Sequence, residues 1–168
     1  MRSYVTGSSG FVGGWLIDHL QSCGDEVLKS DTEVDITDAA AIAGAVEQTE
    51  PEVIYHLAAL AHVGRSWSNP AETVRVNVIG TLNVLQAAAH LDTPPRVVLV
   101  SSAEVYGNAA GDDPVYESAD LRPVTPYAAS KVGAEYVGVQ AWLGQGLPVV
   151  RVRPFNHLGP GQSADFVV

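Results

Sequence analysis

The strongest constraint on the fold is a glycine-rich segment, T-G-S-S-G-F-V-G at residues 6–13, between a short apolar run and a helical pattern. Gly7 permits a tight turn, Gly10 lets the backbone approach a phosphate group, and Gly13 lets the helix pack close to the strand. The first amides of the helix then face an anion. Alone, these glycines also fit a simple turn, but their spacing predicts a dinucleotide site between a strand and a helix.

Strand and helix patterns alternate along the rest of the chain. Six short apolar or extended segments predict strands, at residues 3–6, 26–30, 34–36, 53–57, 97–100 and 147–152. Helices are predicted to begin near Phe11, Asp38, Pro70 and Pro126. The third is expected to place on one face Val74, Val78, Leu82 and Leu85. Strands joined by helices imply parallel pairing with right-handed crossovers. The predicted fold class is therefore α/β, one Rossmann-type doubly wound parallel sheet over residues 1–168 with strand order 3-2-1-4-5-6.

Composition excludes several classes of function. A formal charge of -10 leaves too few cations for a nucleic-acid backbone partner. Cys23 is the only cysteine, and the five histidines show no metal-ligand spacing, so neither a disulfide nor a metal site is expected. No apolar run approaches membrane-spanning length and the N-terminus lacks a secretory pattern. A cytoplasmic protein without a membrane partner is expected.

An acidic residue follows the second predicted strand. Asp31 lies 18 residues after Gly13, where a carboxylate can accept hydrogen bonds from both hydroxyls of an adenosine ribose. The same carboxylate would repel a 2′-phosphate, so the sequence favours NAD over NADP as the cofactor. Lys29 and Glu33 leave the local charge mixed, and NADP stays an alternative.

Two polar motifs suggest proton-transfer chemistry. Tyr127 and Lys131 are four residues apart, on one face of a predicted helix. A nearby ammonium favours the phenolate, so it is expected to lower the pKa of Tyr127 towards neutrality. Ser102 follows the fifth predicted strand, at the sheet edge where ligands bind in open α/β folds. Taken singly, these motifs also fit an exposed helix pair and a polar turn.

Six motifs occur together and in order, and they carry a resemblance to a known family. They are the loop at residues 6–13, H-L-A-A at residues 56–59, Asn77, S-S-A-E-V-Y-G at residues 101–107, Tyr127 with Lys131, and R-P-F-N at residues 153–156. The chain thereby resembles the extended short-chain dehydrogenases/reductases, the NAD-dependent epimerase/dehydratase group that acts on nucleotide-linked sugars. The resemblance implies a nicotinamide cofactor and a nucleotide-sugar substrate.

The resemblance also implies residue roles. Ser102, Tyr127 and Lys131 would be catalytic, with Tyr127 as the proton donor and Lys131 also bound to the nicotinamide ribose. Ser102, Glu104 and Asn156 would contact the substrate. The implied cofactor-binding residues are Gly7, Ser9, Gly10, Phe11, Val12, Gly13, Asp31, Asp35, Ile36, Leu57, Ala58, Ala59, Asn77, Tyr127, Lys131 and Pro154.

Within the family, the tail at residues 153–167 looks most like that of GDP-4-dehydro-6-deoxy-D-mannose reductases. Ala103 stands where 4,6-dehydratases usually carry an acidic or hydroxyl residue, which speaks against dehydration. A UDP-glucose 4-epimerase-like enzyme needs the same Ser-Tyr-Lys set and stays an alternative. So does a dinucleotide-binding fragment without turnover.

Length limits what this chain is expected to do alone. Family members are expected to be roughly twice as long, so most of the C-terminal substrate-binding region should be missing. The resemblance also implies that a full-length protein forms a homodimer through the Tyr127 helix and the helix before it. Val132, Val139 and Trp142 could serve such a face, although packing within one chain would give the same pattern.

Overall fold

Five parallel strands form one sheet in the order β2-β1-β3-β4-β5 in the computed structural model, which describes residues 1–108 and 114–163. The strands are β1 Arg2–Thr6, β2 Glu26–Ser30, β3 Val53–His56, β4 Arg96–Val100 and β5 Val149–Val152. The α-helices are α1 Phe11–Ser22, α2 Ala39–Thr49, α3 Val63–Ser68, α4 Pro70–Val74, α5 Thr81–Ala89 and α6 Pro126–Gln145. A π-helical segment, Arg75–Gly80, joins α4 to α5, and a 3-10 helix spans Ala103–Tyr106.

The predicted Rossmann-type α/β class is confirmed, with one strand fewer than expected. The predicted third strand, at residues 34–36, is wrong, because this segment closes into two turns. The Val34 amide donates to the Asp31 carbonyl at 3.0 Å, and the Asp38 amide donates to the Asp35 carbonyl at 2.9 Å. Backbone groups used locally in this way cannot extend the sheet edge. The observed order is the predicted one without its outermost member.

The larger core lies on one face of the sheet. Tyr4, Ile54 and Val97 point from three neighbouring strands into a buried cluster with helices α2 and α5 and the chain after α6. Helical spacing supplies Ile42 and Val46 from α2, and both side chains are fully buried. The cluster therefore ties three strands to the helices that connect them.

The opposite face is covered unevenly. Val5 packs there with Ile17 and Leu20 of α1. In the described ranges, the β5 residues Val150 and Val152 are 46% and 38% exposed. A fully wound sheet would bury such valines, so helices cover this face less completely near β5.

A π-helical turn changes which residues the third predicted helix buries. Val74 is 45% exposed, although the helical spacing placed it on the buried face. Thr73 and Asn77 are buried instead. A π-helical turn holds an extra residue, so it rotates the buried face relative to a regular α-helix. Of the residues predicted for the buried face of this helix, Leu85, near its C-terminal end, is buried.

The helix predicted near Pro126 is confirmed, and its ends explain its length. The Thr125 side chain accepts a hydrogen bond from the Ala128 amide, and Pro126 occupies the first helical position. Gly146 ends the helix in the left-handed region at φ 73°. Among the residues that the structure describes, none of the helices is long and apolar enough to span a bilayer.

A buried chain of hydrogen bonds joins β1, β3 and α5. The Thr6 hydroxyl and His56 Nδ1 are 2.8 Å apart, and His56 Nε2 lies 3.0 Å from the Thr81 hydroxyl. Because Thr81 donates to the Asn77 carbonyl at 2.7 Å, its oxygen accepts a hydrogen bond from the Nε2–H group. The imidazole is neutral near pH 7, because its pKa lies far below that value. Burial, with a smaller effect of the Lys131 charge, lowers the pKa of His56 to about 3.

Acid is expected to destabilise the fold through His56. Its ordinary pKa is 6.5, so between pH 6.5 and 3 the unfolded chain binds a proton that the folded chain excludes. The free energy of unfolding then falls as the pH falls, by about 1.5 kcal/mol between pH 6.5 and 5. Urea unfolding at several pH values measures this slope. The slope should flatten in His56→Gln and persist in His19→Gln, which alters an exposed histidine; an equal slope in both variants would contradict the assignment.

Candidate active site

The turn between β1 and α1 lies directly against the chain that leaves β3. Gly7 has φ +71°, and a Cβ added there would lie 2.8 Å from the Ala58 amide nitrogen. A Cβ at Gly13 would lie 2.5 Å from the Gly7 carbonyl oxygen. The Gly10 amide closes the turn on that carbonyl at 3.2 Å. Only residues without a side chain fit at Gly7 and Gly13, as expected.

The start of α1 fits an anionic group. No side chain caps the helix at Gly10, and its first turn carries no acidic residue. The Gly14 amide makes the bond to the Gly10 carbonyl, at 3.0 Å, whereas the amides of Phe11, Val12 and Gly13 precede it and have no intrahelical acceptor. These three amides lie at the positive end of the helix dipole, which suits the pyrophosphate of a dinucleotide.

Asp31 forms the acidic end of this site. Its Oδ2 accepts the Ser9 amide at 2.7 Å and the Ser9 hydroxyl at 2.5 Å, and its Oδ1 accepts the Thr32 amide at 2.9 Å. Burial raises the pKa of Asp31, but these hydrogen bonds outweigh it and hold the pKa below its usual value. An ionised carboxylate therefore lies beside the glycine loop, and its contact with a ribose stays a prediction.

The two residues expected beside an adenine differ in exposure. Asp35 is exposed, and its carboxylate accepts both the amide and the hydroxyl of Thr37 at 2.8 Å, which holds its pKa low. Ile36 packs in the core, and its carbonyl accepts a bond from Asn83 at 2.9 Å. Adenine contact by Asp35 and Ile36 stays a prediction.

Asn77 supports the loop after β3. Its Oδ1 accepts the Leu60 amide at 2.8 Å, while its Nδ2 donates to the Leu60 carbonyl at 3.2 Å and to the Ser130 hydroxyl at 2.9 Å. Ser130 donates in turn to the Tyr127 carbonyl at 2.7 Å. The buried amide thus links residues 57–60, which include three predicted cofactor contacts, to the helix that carries Tyr127.

The structure brings Ser102 and Tyr127 together and changes the expected charge state of Tyr127. Burial raises the pKa of Tyr127; the Ser102 hydroxyl opposes this shift, and the Glu104 carboxylate adds to it. The Lys131 ammonium donates to the Val100 carbonyl at 2.8 Å, and burial lowers its pKa to about 8. The expected lowering of the Tyr127 pKa is therefore wrong for this arrangement, because burial dominates. Tyr127 is a protonated phenol at neutral pH, hence a proton donor.

The predicted substrate residues lie at the same edge. Glu104 is exposed within the 3-10 helix that Ser102 caps. The Pro154 carbonyl accepts the Ala103 amide at 2.9 Å, which holds the chain after β5 beside Ser102. Asn156 is exposed two residues later, and it lines an open groove of about 510 Å³ with Phe11, Val12, Trp15 and residues 157–160. The tail at Asp165 to Val167 lies outside the described residues.

Sequence reasoning missed two residues behind the site. Glu135, four residues after Lys131, is fully buried, and Arg153 pairs with it through two hydrogen bonds. The spacing from Lys131 placed Glu135 on the same helix face, and R-P-F-N contained Arg153, but neither pattern indicates their pairing. In residues 1–108 and 114–163, there is no cluster of three or more His, Cys, Asp or Glu suited to a metal ion.

Comparison with known proteins agrees with this arrangement. Residues 30–168 match the family model described as GDP-mannose 4,6 dehydratase. GDP-6-deoxy-D-mannose reductase from Pseudomonas aeruginosa is 35% identical over 170 residues, which cover 99% of this chain and 56% of that protein.

Two solved structures have closely similar folds. RMD from Pseudomonas aeruginosa complexed with NADPH has a TM-score of 0.88 at 34% identity, covering 99% of this chain and 56% of that one. DesIV, a dTDP-glucose 4,6-dehydratase from Streptomyces venezuelae with NAD and TYD bound, has a TM-score of 0.88 at 31% identity, covering 100% of this chain and 60% of that one. The chain thus spans little more than half the length of these relatives.

The close approach at Gly7 predicts an unusually costly substitution. Gly7→Ala adds a methyl group against the Ala58 backbone at φ +71°, whereas Gly146→Ala meets a similar φ of +73° with open space around the new Cβ. Gly7→Ala should therefore lower the free energy of unfolding by at least about 2 kcal/mol more than Gly146→Ala. Urea unfolding of the two variants measures the difference. Equal losses would mean that the glycine loop does not lie against Ala58.

Proposed function

The chain belongs to the GDP-mannose 4,6-dehydratase family of extended short-chain dehydrogenases/reductases, and on that premise we propose that it carries the cofactor site and catalytic residues of a nucleotide-sugar oxidoreductase. The proposed reaction reduces the 4-keto group of GDP-4-dehydro-6-deoxy-D-mannose. The observation that carries the proposal is the protonated Tyr127 phenol beside the Ser102 hydroxyl. Ketone reduction needs such a proton donor and hydrogen-bond donor at the same oxygen.

Each catalytic residue has a distinct part in the proposed reaction. Ser102 donates a hydrogen bond to the sugar carbonyl oxygen and so stabilises the charge that grows on it. Tyr127 then transfers its phenolic proton to that oxygen. Lys131, with a pKa of about 8, is mostly an ammonium at neutral pH and stabilises the phenolate that Tyr127 leaves. The reduced nicotinamide supplies the hydride that reaches the sugar carbon.

The glycine loop and Asp31 support NAD or NADP as the cofactor. The first amides of α1 suit the pyrophosphate, and the carboxylate beside Ser9 suits the ribose hydroxyls. Because the charge of Asp31 opposes a 2′-phosphate, we propose that NAD binds more tightly than NADP. The relatives include one solved with NADPH and one solved with NAD, so direct measurement decides the preference.

The residues around Ser102 disfavour one of two alternative activities and leave the other open. A 4,6-dehydratase must remove water across two sugar carbons, and Ala103 has no side-chain group that transfers a proton. A 4-epimerase needs only the same Ser102, Tyr127 and Lys131 and a substrate that rotates between hydride transfers. It is the second candidate, favoured by the 33% identity to UDP-glucose 4-epimerase from Mycolicibacterium smegmatis.

Homodimer formation also stays a proposal. Tyr136, Trp142 and Leu143 of α6 are more than half exposed in one chain. Trp142 belongs to the apolar face that the sequence analysis names for a homodimer, and its exposure shows that it is not part of the core of this chain. Large apolar side chains of this kind suit burial against a second α6.

Tyr127→Phe tests the proposed reaction in a chain extended to the length of the relatives. Loss of the proton donor should lower kcat for GDP-4-dehydro-6-deoxy-D-mannose at least about 100-fold. NADH affinity should stay within about twofold, because the substitution removes one hydroxyl and leaves the glycine loop, Asp31 and Lys131 in place. Tyr136→Phe, an exposed tyrosine on the same helix, is the control. Unchanged kcat in Tyr127→Phe would contradict the role of Tyr127 as proton donor. If the extended parent chain converted UDP-glucose and not GDP-4-dehydro-6-deoxy-D-mannose, the epimerase would be favoured.

Asp31→Asn tests cofactor choice on the chain itself. Titration with NADH and NADPH, followed by fluorescence, should show tighter NADH binding in the parent chain. Removal of one negative charge beside the 2′ position should raise the relative affinity for NADPH at least about fivefold. Asp18→Asn makes the same change on the outer face of α1 and should leave the ratio unaltered. An unchanged ratio in Asp31→Asn would show that Asp31 does not determine the choice.

A further inference from the structure

The Glu135 carboxylate is fully buried on α6, although the proposed reaction gives it no task. It follows Lys131 by four residues, as Lys131 follows Tyr127, so the three side chains lie along one buried face of the helix. A buried carboxylate is costly unless it is paired and hydrogen-bonded. Its partners therefore indicate what it does.

Arg153 is the main partner, and it joins four parts of the fold. Its Nε donates to Glu135 Oε1 at 2.8 Å and its Nη2 to Oε2 at 2.6 Å. Its Nη1 donates to the Tyr106 hydroxyl at 2.8 Å and to the Glu117 carbonyl at 2.9 Å. The guanidinium thereby connects the end of β5 with α6, the 3-10 helix after Ser102, and the chain around residue 117.

The same region holds the segment that carries Ser102. The Ser101 amide donates to the Val152 carbonyl at 2.7 Å, and the Ala103 amide donates to the Pro154 carbonyl at 2.9 Å. The two donors are the neighbours of Ser102 in the chain, and the two acceptors are the neighbours of Arg153. A shift of Arg153 would therefore move Ser102 relative to α6.

Charges around Lys131 show how Glu135 acts on it. In the described part of the chain, the Lys131 amine donates to the Val100 carbonyl, its charge helps to lower the pKa of His56, and Glu135 is the charged group that acts on it. Burial lowers the pKa of Lys131 to about 8, and the Glu135 charge opposes that shift. Glu135 is thus the charge that favours the ammonium.

Glu135 is itself held by charges from β5. Arg151 lies 3.4 Å from Oε2, and Arg153 makes the two-bond pair. Burial raises the pKa of Glu135, but the bonds to Arg153 and the charges of Arg153 and Arg151 outweigh it and hold the pKa low. The carboxylate is ionised wherever the protein is folded near neutral pH.

We infer that Glu135 and Arg153 are a positioning pair for the catalytic helix, in which Glu135 keeps the Lys131 amine protonated and Arg153 holds Glu135 and the Ser102 segment in register. The inference rests on the proposed function, since it concerns the charge of a residue assigned to that reaction. Neither residue touches the substrate in this role.

The test uses the two lysines of the chain, Lys29 and Lys131. Isotopically labelled lysine gives two sets of side-chain NMR signals, and pH titration gives the midpoint of each amine. Lys29 is exposed and serves as an internal reference. In Glu135→Gln, which keeps the shape of the side chain, the Lys131 midpoint should fall by about one unit, because an attractive charge is lost.

The direction of the Lys131 shift shows whether Glu135 acts on Lys131 through its charge or only through packing. If Glu135 only supported packing, its replacement would admit water and raise the Lys131 midpoint towards its ordinary value of 10.5. Arg153→Met should raise the midpoint, because it leaves Glu135 less neutralised, and the double variant should fall between the two single ones. Glu72→Gln removes an exposed, Arg75-paired carboxylate and should change neither lysine. A raised or unchanged midpoint in Glu135→Gln overturns the inference.

A measurement in the unsubstituted chain tests the same interaction between Glu135 and Lys131 if the variants do not fold. With labelled glutamate, one carboxyl signal should move at the midpoint of Lys131, because the two charges are neighbours. Absence of that step overturns the inference without any substitution. NADH titration of the parent chain is read separately: lost NADH binding with the expected Lys131 shifts would sink the proposed function and leave the positioning pair standing.

Discussion

Parallel pairing of all five strands is the constraint on which the rest of the structure depends. A parallel neighbour requires a crossover to the far end of the sheet, so every strand ends at the same edge. Residues distant in sequence therefore meet there, including Gly7, Asp31, Ala58 and Ser102. Tyr127 and Lys131 reach the edge from α6, which packs against β5. The site is assembled by sheet topology and not by one long loop.

Buried polar side chains hold that edge in one arrangement. His56, Asn77 and Glu135 are each at most 2% exposed, and each bonds to a different element of the fold. Inside a protein such bonds are strong, and an unpaired buried group is costly, so few alternative arrangements satisfy all three. The interactions are directional, whereas the apolar clusters on the two faces are not. Polar contacts thus align the strand ends after apolar burial has brought them together.

The fold alone does not determine the reaction, because relatives with reductase, dehydratase and epimerase names share it. Local chemistry must distinguish them. Burial keeps the Tyr127 phenol protonated, which suits a donor to an alkoxide. Ala103 removes one acid–base group that a dehydratase would use. These two observations support the proposed reduction over dehydration.

The sequence by itself determined the glycine loop, the strand–helix alternation, the start of α6 at Pro126 and the candidate residues at the strand ends. Turn, cap and periodicity signals reflect backbone preferences within a few residues, so they can be seen in a linear pattern. Only the tertiary structure decided the turns at residues 34–36, the π-helical rotation around Asn77, the raised pKa of Tyr127 and the pair of Glu135 with Arg153. Burial and charge at those positions come from segments far away in sequence, and spacing along the chain contains no record of which distant groups will meet.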